Sequence, residues 1–559
     1  MGCTTLSAHQ IGAAAFVSMG RNGQRALMDA KAASCLIDRR LDVMEQQGES
    51  RRQPNVLIIH TDQQRYDSLG CTGNRYALTP HIDRLASQGT LFHRHISAHP
   101  VCMPSRASFF TGRYPNGHGV YANGVAIPRG SQITEHPMNG GQSISPNTIS
   151  HVPTMADVFG ESGYRTASIG KLHFTCTNAP RSSHFEESRI RWAEEDMDTW
   201  SGPYYGFEQV QMTIGHGENY TGHYGKWLER EYQDVVAKVR SGEYRGNSSN
   251  HGLLYPSVVP VEAHSSTWIA DRAISYLSHT AGEDKPFFLF LGFPDPHFPF
   301  TPPTELADLF AGQEIMPAYE RKQGAGEILG SQRQLYQEEA IQYSQRYGSD
   351  FIGLARQYTD AMIHLIDRSV GRILSVLEQF DLADDTIILF TSDHGEYLGD
   401  YGLVFKSEHG CKALNHIPLI MKVPQTVDVW PKTCDAAVSN VDILPSLCDL
   451  VGIQAPAGVQ GRSILPLLQG TRLSHPVQVT CYGDKPSDHN FSLWNDQYRY
   501  TWYPSTGECE LYDHLTDPYE TDNIAGTKQA APIQTAMHLQ LLELHCHTDH
   551  PSAGKVSNW

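Results

Sequence analysis

Clustered cysteine is missing from this chain of 559 residues: its eleven cysteines are scattered from Cys3 to Cys546, and no two form a C-x-x-C pair. No cysteine group has metal-ligand spacing, and an odd count spread over a long chain reads as mostly reduced thiols. A persuasive leader is missing too. The short apolar stretch Ile11–Val17 has no Lys or Arg before it, as a secretory signal would. Met1-Gly-Cys3 hints at lipidation, but Leu6 stands where the myristoylation pattern requires Ser or Thr. A cytoplasmic location is therefore the expectation. No run of roughly eighteen apolar residues exists, so no segment reads as a transmembrane helix.

Positive charge is also in short supply. Lys and Arg total 43 against 61 Asp and Glu, a net charge of −18. A nucleic-acid partner needs a basic face that displaces counterions, and an anionic membrane surface needs the same, so neither partner is expected. Net charge describes the whole field and leaves room for one small basic pocket. No internal repeat or low-complexity tract is present, and 40% hydrophobic residues set aside a disordered chain.

What is there begins with Asn55–Thr61, an apolar, β-branched run bounded by Pro54 and a polar cluster. Such a run suits a strand buried on both faces of a parallel sheet. Further strands are read at Pro286–Gly292 and Thr386–Thr391. Pro80 near the start and Gly89 at the end mark a helix over Thr79–Gly89. Another helix is read over Gln357–Phe380, with Met362, Ile363, Ile366, Val370, Ile373, Leu374 and Leu377 on one face. Strands alternating with helices predict an α/β fold, a large and mostly parallel central sheet flanked by helices. From about residue 475 short aromatic strands, Tyr498–Trp502 and Glu508–Asp513, predict a smaller antiparallel sheet with a closing helix near 533–545. Residues 129–150 read as an inserted polar loop. Residues 178–262 read as an insertion without periodicity, and 313–350 as a polar one compatible with a helix; such insertions shape substrate pockets.

The strand ends carry the chemistry. Asn55–Thr61 runs into Asp62-Gln63, and Thr386–Thr391 runs into Ser392-Asp393-His394-Gly395-Glu396. Ligands bind outside the carboxyl ends of strands in open α/β sheets, so Asp62, Gln63, Asp393 and His394 offer ligands to one cation. Taken singly, each aspartate also reads as a cap of the following turn. Glu396 would orient a metal-ligating neighbour.

A second constellation is Cys102-Met-Pro-Ser-Arg106, followed after four residues by Thr111-Gly-Arg113. On its own, Cys102 reads equally as a small buried hydrophobe or as a thiol nucleophile served by a histidine. The whole motif resembles the sulfatase family signature, C-x-P-S-R followed by T-G-R. That resemblance, which extends from about Asn55 to the C-terminus, implies an alkaline-phosphatase-like fold and hydrolysis of a sulfate monoester. It also implies that a maturation enzyme oxidises Cys102 to Cα-formylglycine, whose hydrate is the nucleophile. One divalent metal is implied, held by Asp62, Gln63, Asp393, His394 and residue 102, with calcium expected and manganese or magnesium as alternatives. The implied organisation is an N-terminal extension (1–54), a catalytic domain (55–470) and a C-terminal subdomain (471–559).

The same resemblance assigns roles to further residues. Arg106 would steady the aldehyde hydrate, and Asn123 would lie close to the sulfate. Gly170-Lys171-Leu-His173 is similar to the family's G-K-x-H segment, placing Lys171 and His173 at the sulfate and the nucleophile. Asp295-Pro-His297-Phe-Pro-Phe300 is similar to its D-x-P-H-x-P-F segment, with His297 contacting substrate, and Lys406 would stand near the leaving oxygen. His216, in Gly215-His-Gly-Glu-Asn-Tyr220, is a further substrate-binding candidate. Any of these taken alone also reads as an ordinary surface charge or packed imidazole. Gln63 and His394 match a subset shared with phosphonate monoester hydrolases, so that reaction is the alternative; Lys171 and His173 favour sulfate. A non-catalytic binding relative is a third reading. The substrate would be a small-molecule or carbohydrate sulfate ester.

Overall fold

The run Asn55–Thr61, expected to be a strand buried on both faces, lies in the middle of the sheet. The computed structural model describes residues 53–129, 151–242, 252–320, 331–424, 432–471, 475–482 and 488–548. The expected extension at 1–54, except its last two residues, and nearly all of the polar loop at 129–150 lie outside the described residues. Eight strands build the central sheet: Asn55–Thr61 (β1), Thr90–Phe92 (β2), Arg165–Gly170 (β3), Gln209–Met212 (β4), Phe287–Gly292 (β5), Thr386–Ser392 (β6), Leu419–Lys422 (β7) and Thr433–Cys434 (β8). Their order is β8-β2-β7-β6-β1-β5-β3-β4. Among the described strands of this sheet only β7 runs antiparallel to its neighbours, β2 and β6.

Two-faced burial follows from the period-2 alternation of a strand. Val56 and Ile58 of β1 join Phe288 and Phe290 of β5 in one core cluster. Leu57 and Ile59 join Leu289 and Leu291 in the other. The first cluster is covered by Cys102–Thr111, a helix buried along its whole length. The second is covered by Pro80–Gln88, Ser265–Thr280 and the apolar face of Ser331–Gln379. In chain order these helices are α1 (80–88), α2 (102–111), α3 (265–280) and α4 (331–379). Each fully buried Leu, Ile or Phe contributes about 1.5–3 kcal/mol, so this double layer fixes the sheet rigidly.

Two sequence expectations need correction. The helix expected over Gln357–Phe380 begins much earlier, at Ser331, and the polar segment 313–350, compatible with a helix, supplies the first part of this one 49-residue helix. The insertion 178–262 is not irregular throughout: β4 extends the central sheet as its edge, parallel to β3, and the segments Gly222–Glu231 and Gln233–Ser241 are helical. A four-residue strand with the sequence Gln-Val-Gln-Met is too short for periodicity to declare it.

Downstream, Val477–Cys481 (β9), Asn490–Trp494 (β10), Tyr498–Tyr503 (β11) and Glu508–Asp513 (β12) form the expected small antiparallel sheet, and Ala531–Thr548 (α5) packs on it. The sheet also holds a loop of the larger layer. Arg499 of β11 is buried and paired with Glu520 at 2.7 Å and Glu510 at 3.1 Å. Its Nη1 donates to Gly410 O at 2.6 Å, and Asn490 Nδ2 donates to Glu408 O at 2.8 Å. Lys412 N donates to Glu520 Oε2 at 3.0 Å. The chain from Pro54 onward accordingly forms one unit.

Candidate active site

Strand register sets the first group of side chains side by side. Thr61 of β1 is paired with Ser392 of β6, so Asp62-Gln63 and Asp393-His394 leave the sheet at the same edge. Gln63 takes a left-handed conformation at φ 63°, which turns its backbone N–H onto Asp393 Oδ1 at 2.9 Å. His394 N donates to the same oxygen at 2.9 Å. His394 Nδ1 faces Gly395 O at 2.8 Å, which aims Nε2 at Cys102 Sγ, 3.2 Å away.

Cys102 is the first residue of α2 and is buried. One turn later, Arg106 donates from Nε to Asp393 Oδ2 at 2.8 Å and from Nη1 to Lys171 O at 3.1 Å. Asn123 Oδ1 accepts from Met103 N at 3.0 Å, so this amide secures the first turn of α2 beside the cysteine.

The ends of β3 and β5 supply the second group. Gly170 and Gly292 are register partners. A Cβ on Gly170 would lie 2.1 Å from Gly292 O, and one on Gly292 would lie 2.0 Å from Lys171 O. Only glycines permit this approach, and Gly170 adopts φ 103° to direct Lys171 across the sheet edge. Lys171 Nζ contacts Asp62 Oδ2 and lies 2.7 Å from His216 Nε2. His173, at φ 61°, has the Cys102 thiol beside its imidazole. Its backbone is held by Glu187, which accepts from the N–H of His173 at 2.7 Å, Phe174 at 2.8 Å and Thr175 at 3.3 Å, and from Tyr204 Oη at 2.8 Å.

Lys406 closes the group. Its Nζ donates to Gln63 Oε1 at 2.9 Å and lies 2.9 Å from Cys102 Sγ, 2.8 Å from His297 Nε2 and 3.2 Å from His394 Nε2. His297 stacks on His216 with centroids 3.8 Å apart. The twelve residues read in the sequence as metal ligands, catalytic groups or substrate contacts therefore lie together at one edge of the sheet. A cavity of about 290 Å³ opens beside them, lined by Lys171, His173, His216, His297 and residues of the 178–262 insertion.

The electrostatics follow from burial and neighbours. Burial pushes the Cys102 thiol up, but the Lys171 and Lys406 ammonium groups reverse this and hold it well below the usual thiol range. Burial likewise opposes ionisation of Asp62, yet Lys171 and His297 hold its carboxyl well below the carboxylate range. Asp393 moves the other way, raised by burial and by the neighbouring Asp62. Burial and Lys406 bring His297 down to about 4, and burial with Lys171 lowers His173, so both imidazoles are neutral at neutral pH. Burial pushes Glu396 up to about 7, and its Oε2 accepts from Gln63 Nε2.

The family model for Sulfatase matches residues 54–453, and that for N-sulphoglucosamine sulphohydrolase, C-terminal, matches residues 404–547. The chain belongs to the sulfatase family. This sulfatase is similar to human iduronate 2-sulfatase, 30% identical over 430 residues that cover 74% of this chain and 68% of that one. It is 27% identical over 504 residues to the uncharacterized sulfatase YidJ of Escherichia coli, covering 88% and 87%. Among solved structures it resembles the phosphonate monoester hydrolase of Agrobacterium radiobacter, with a TM-score of 0.68 at 21% identity, covering 89% of this chain and 96% of that one. The last likeness is one of fold.

The donor set of this sulfatase fits the divalent cation its family implies. Ligand atoms of Asp62, Cys102, Asp393 and His394 all lie within 4.8 Å of one another and are buried. Two carboxylates, one imidazole and the nearby Gln63 carbonyl suit a hard or borderline cation. Sequence reasoning passed over Glu187, because its partners are mostly main-chain N–H groups, which leave no side-chain pattern.

Proposed function

We propose that this sulfatase hydrolyses the sulfate monoester of a small or carbohydrate alcohol, using Cα-formylglycine made from Cys102 and a divalent metal held by Asp62, Gln63, Asp393 and His394. The gathering of Lys171, Lys406, His173 and His297 around buried Cys102 carries the reading. When present, the cation would supply Lewis-acid polarisation, and the aldehyde hydrate one hydroxyl for attack and another for expelling the product. The remaining work falls to side chains. A sulfate ester is an anion, so its approach needs the positive field of Lys171 and Lys406 in a site shielded from water. Arg106 neutralises Asp393 and keeps that carboxylate fixed. Lys406, in contact with His297 Nε2, delivers the proton to the departing alcohol oxygen. His173, neutral and with Nδ1 lacking a partner among the described residues, accepts a proton during product release. The likeness to human iduronate 2-sulfatase supports a sugar as the alcohol.

Mass spectrometry of the tryptic peptide His95–Arg106 from native-source protein tests maturation: the aldehyde or its hydrate is expected in place of the thiol. The matured enzyme should cleave an aryl sulfate faster than an aryl phosphonate monoester, and Cys102→Ala should abolish both activities. Near-normal turnover by Cys102→Ala would sink the mechanism, and a preference for the phosphonate would move the enzyme to the alternative reaction.

A further inference from the structure

The cavity beside the sulfatase site contains a cation with no assigned work. Arg189, at the start of the Arg189–Glu194 helix, lines it together with Lys171, His173, Thr213, His216 and His297. Lys171 is engaged with Asp62. Arg189 has no carboxylate partner among the described residues: its Nη2 donates to Asn219 O at 3.0 Å and contacts Asn219 Oδ1, both neutral. The cavity's acid, Glu187, spends its carboxylate on three backbone N–H groups and Tyr204. An uncompensated, half-buried guanidinium is unexpected in a chain of net charge −18.

Its position is tied to the sulfate-facing residues through one turn. Lys171 Nζ meets His216 Nε2, His216 O accepts from Asn219 N at 3.1 Å, and Asn219 O holds Arg189. A second observation points to a ligand. The Thr213 hydroxyl lines the same cavity, is buried, and has no hydrogen-bond partner among the described residues. Buried polar groups are normally satisfied, so an orphan on a cavity wall marks a place for a ligand's polar atom.

We propose that Arg189, with Thr213, forms a subsite for a second anionic group on the substrate, so that the preferred ester carries a carboxylate or another sulfate besides the one cleaved. This rests on the sulfatase reading above and narrows its substrate class. A planar guanidinium pairs bidentately with either anion, and the hydroxyl donates a further hydrogen bond. The cavity volume of about 290 Å³ suits a sugar ring rather than a long polymer segment.

Three esters test it on the matured holoenzyme: a hexuronate O-sulfate, a disulfated hexosamine and a neutral hexose O-sulfate, with an aryl sulfate as control. The wild type should favour at least one anionic ester over the neutral one by about tenfold or more in kcat/KM, chiefly through KM. The better of the two anionic arms identifies the group as carboxylate or sulfate. Arg189→Gln should reduce that ratio to near unity, and Arg189→Lys should restore part of it. Equal wild-type rates on anionic and neutral esters overturn the subsite without any variant, as does an unchanged ratio in Arg189→Gln. Loss of all sulfate ester turnover in the wild type, aryl sulfate included, would instead refute the reaction itself.

Discussion

Glu187 offers the sharpest test of how the site is held. Its Oε1 accepts from Phe174 N, Thr175 N and Tyr204 Oη, whereas Oε2 accepts from His173 N alone, at 2.7 Å. A hydrogen bond to a charged acceptor is worth about 1.5–3 kcal/mol, and a buried donor left unpaired costs a similar amount. Glu187→Ala strands three backbone donors and should lower stability by about 3–5 kcal/mol. Glu187→Gln separates the two oxygens: the amide carbonyl keeps the three bonds of Oε1, and the NH₂ now faces the His173 N–H, donor against donor. Its stability loss should be only about 1–2 kcal/mol, but the repulsion falls on the residue held at φ 61°. A displacement near 1 Å at a reacting group costs roughly a hundredfold in rate. The expected result is thus a large fall in kcat on an aryl sulfate, with KM and the urea midpoint changed far less than in Glu187→Ala. A Glu187→Gln enzyme within twofold of the wild-type kcat would refute the claim that this carboxylate positions His173.

Two further outcomes follow from local geometry. Gly170→Ala should destabilise the protein by about 2–4 kcal/mol, since the new Cβ meets Gly292 O at 2.1 Å and φ stands at 103°; chemical denaturation measures this. For acid stability, burial opposes ionisation of Asp67, but Arg65 holds its carboxyl down at about 2. A depressed folded value means that the stabilisation is complete above the unfolded value near 3.9 and is lost as pH falls from there through about 2. After discounting for the partial exposure of Asp67, the contribution is about 1 kcal/mol. Asp67→Asn should be less stable than wild type at pH 6, with the gap closing by about pH 2.

The sheet and the four residues at its strand ends were legible for one physical reason, whereas Cys102 and the remaining site candidates stood out through their motifs and the family resemblance those carry. Strands buried on both faces must be continuous apolar runs, and the polar residues immediately after them must sit at the sheet's edge. β1 and β6 announce themselves in this way, and Asp62, Gln63, Asp393 and His394 come with them. The small antiparallel sheet was legible from alternation in Tyr498–Tyr503 and Glu508–Asp513. What stayed hidden depends on tertiary partners. β4 is too short to show a period and is a strand because β3 offers it an edge. Glu187 looks like any polar insertion residue until the chain brings three N–H groups to it. Arg189 becomes notable only when the absence of an acid beside it can be seen.

The clasp between the small sheet and residues 408–412 has a consequence for the order of synthesis. Lys406 lies just before that clasp, and Asn490, Arg499 and Glu520, which fasten it, emerge from the ribosome long after Cys102. Lys406 itself reaches residues made before it, Gln63, Cys102 and His297, whereas residues 408–412 are fastened only by partners made later. One wall of the pocket around residue 102 therefore borders a segment fastened by Asn490, Arg499 and Glu520, the latest-made of the supports described for this site.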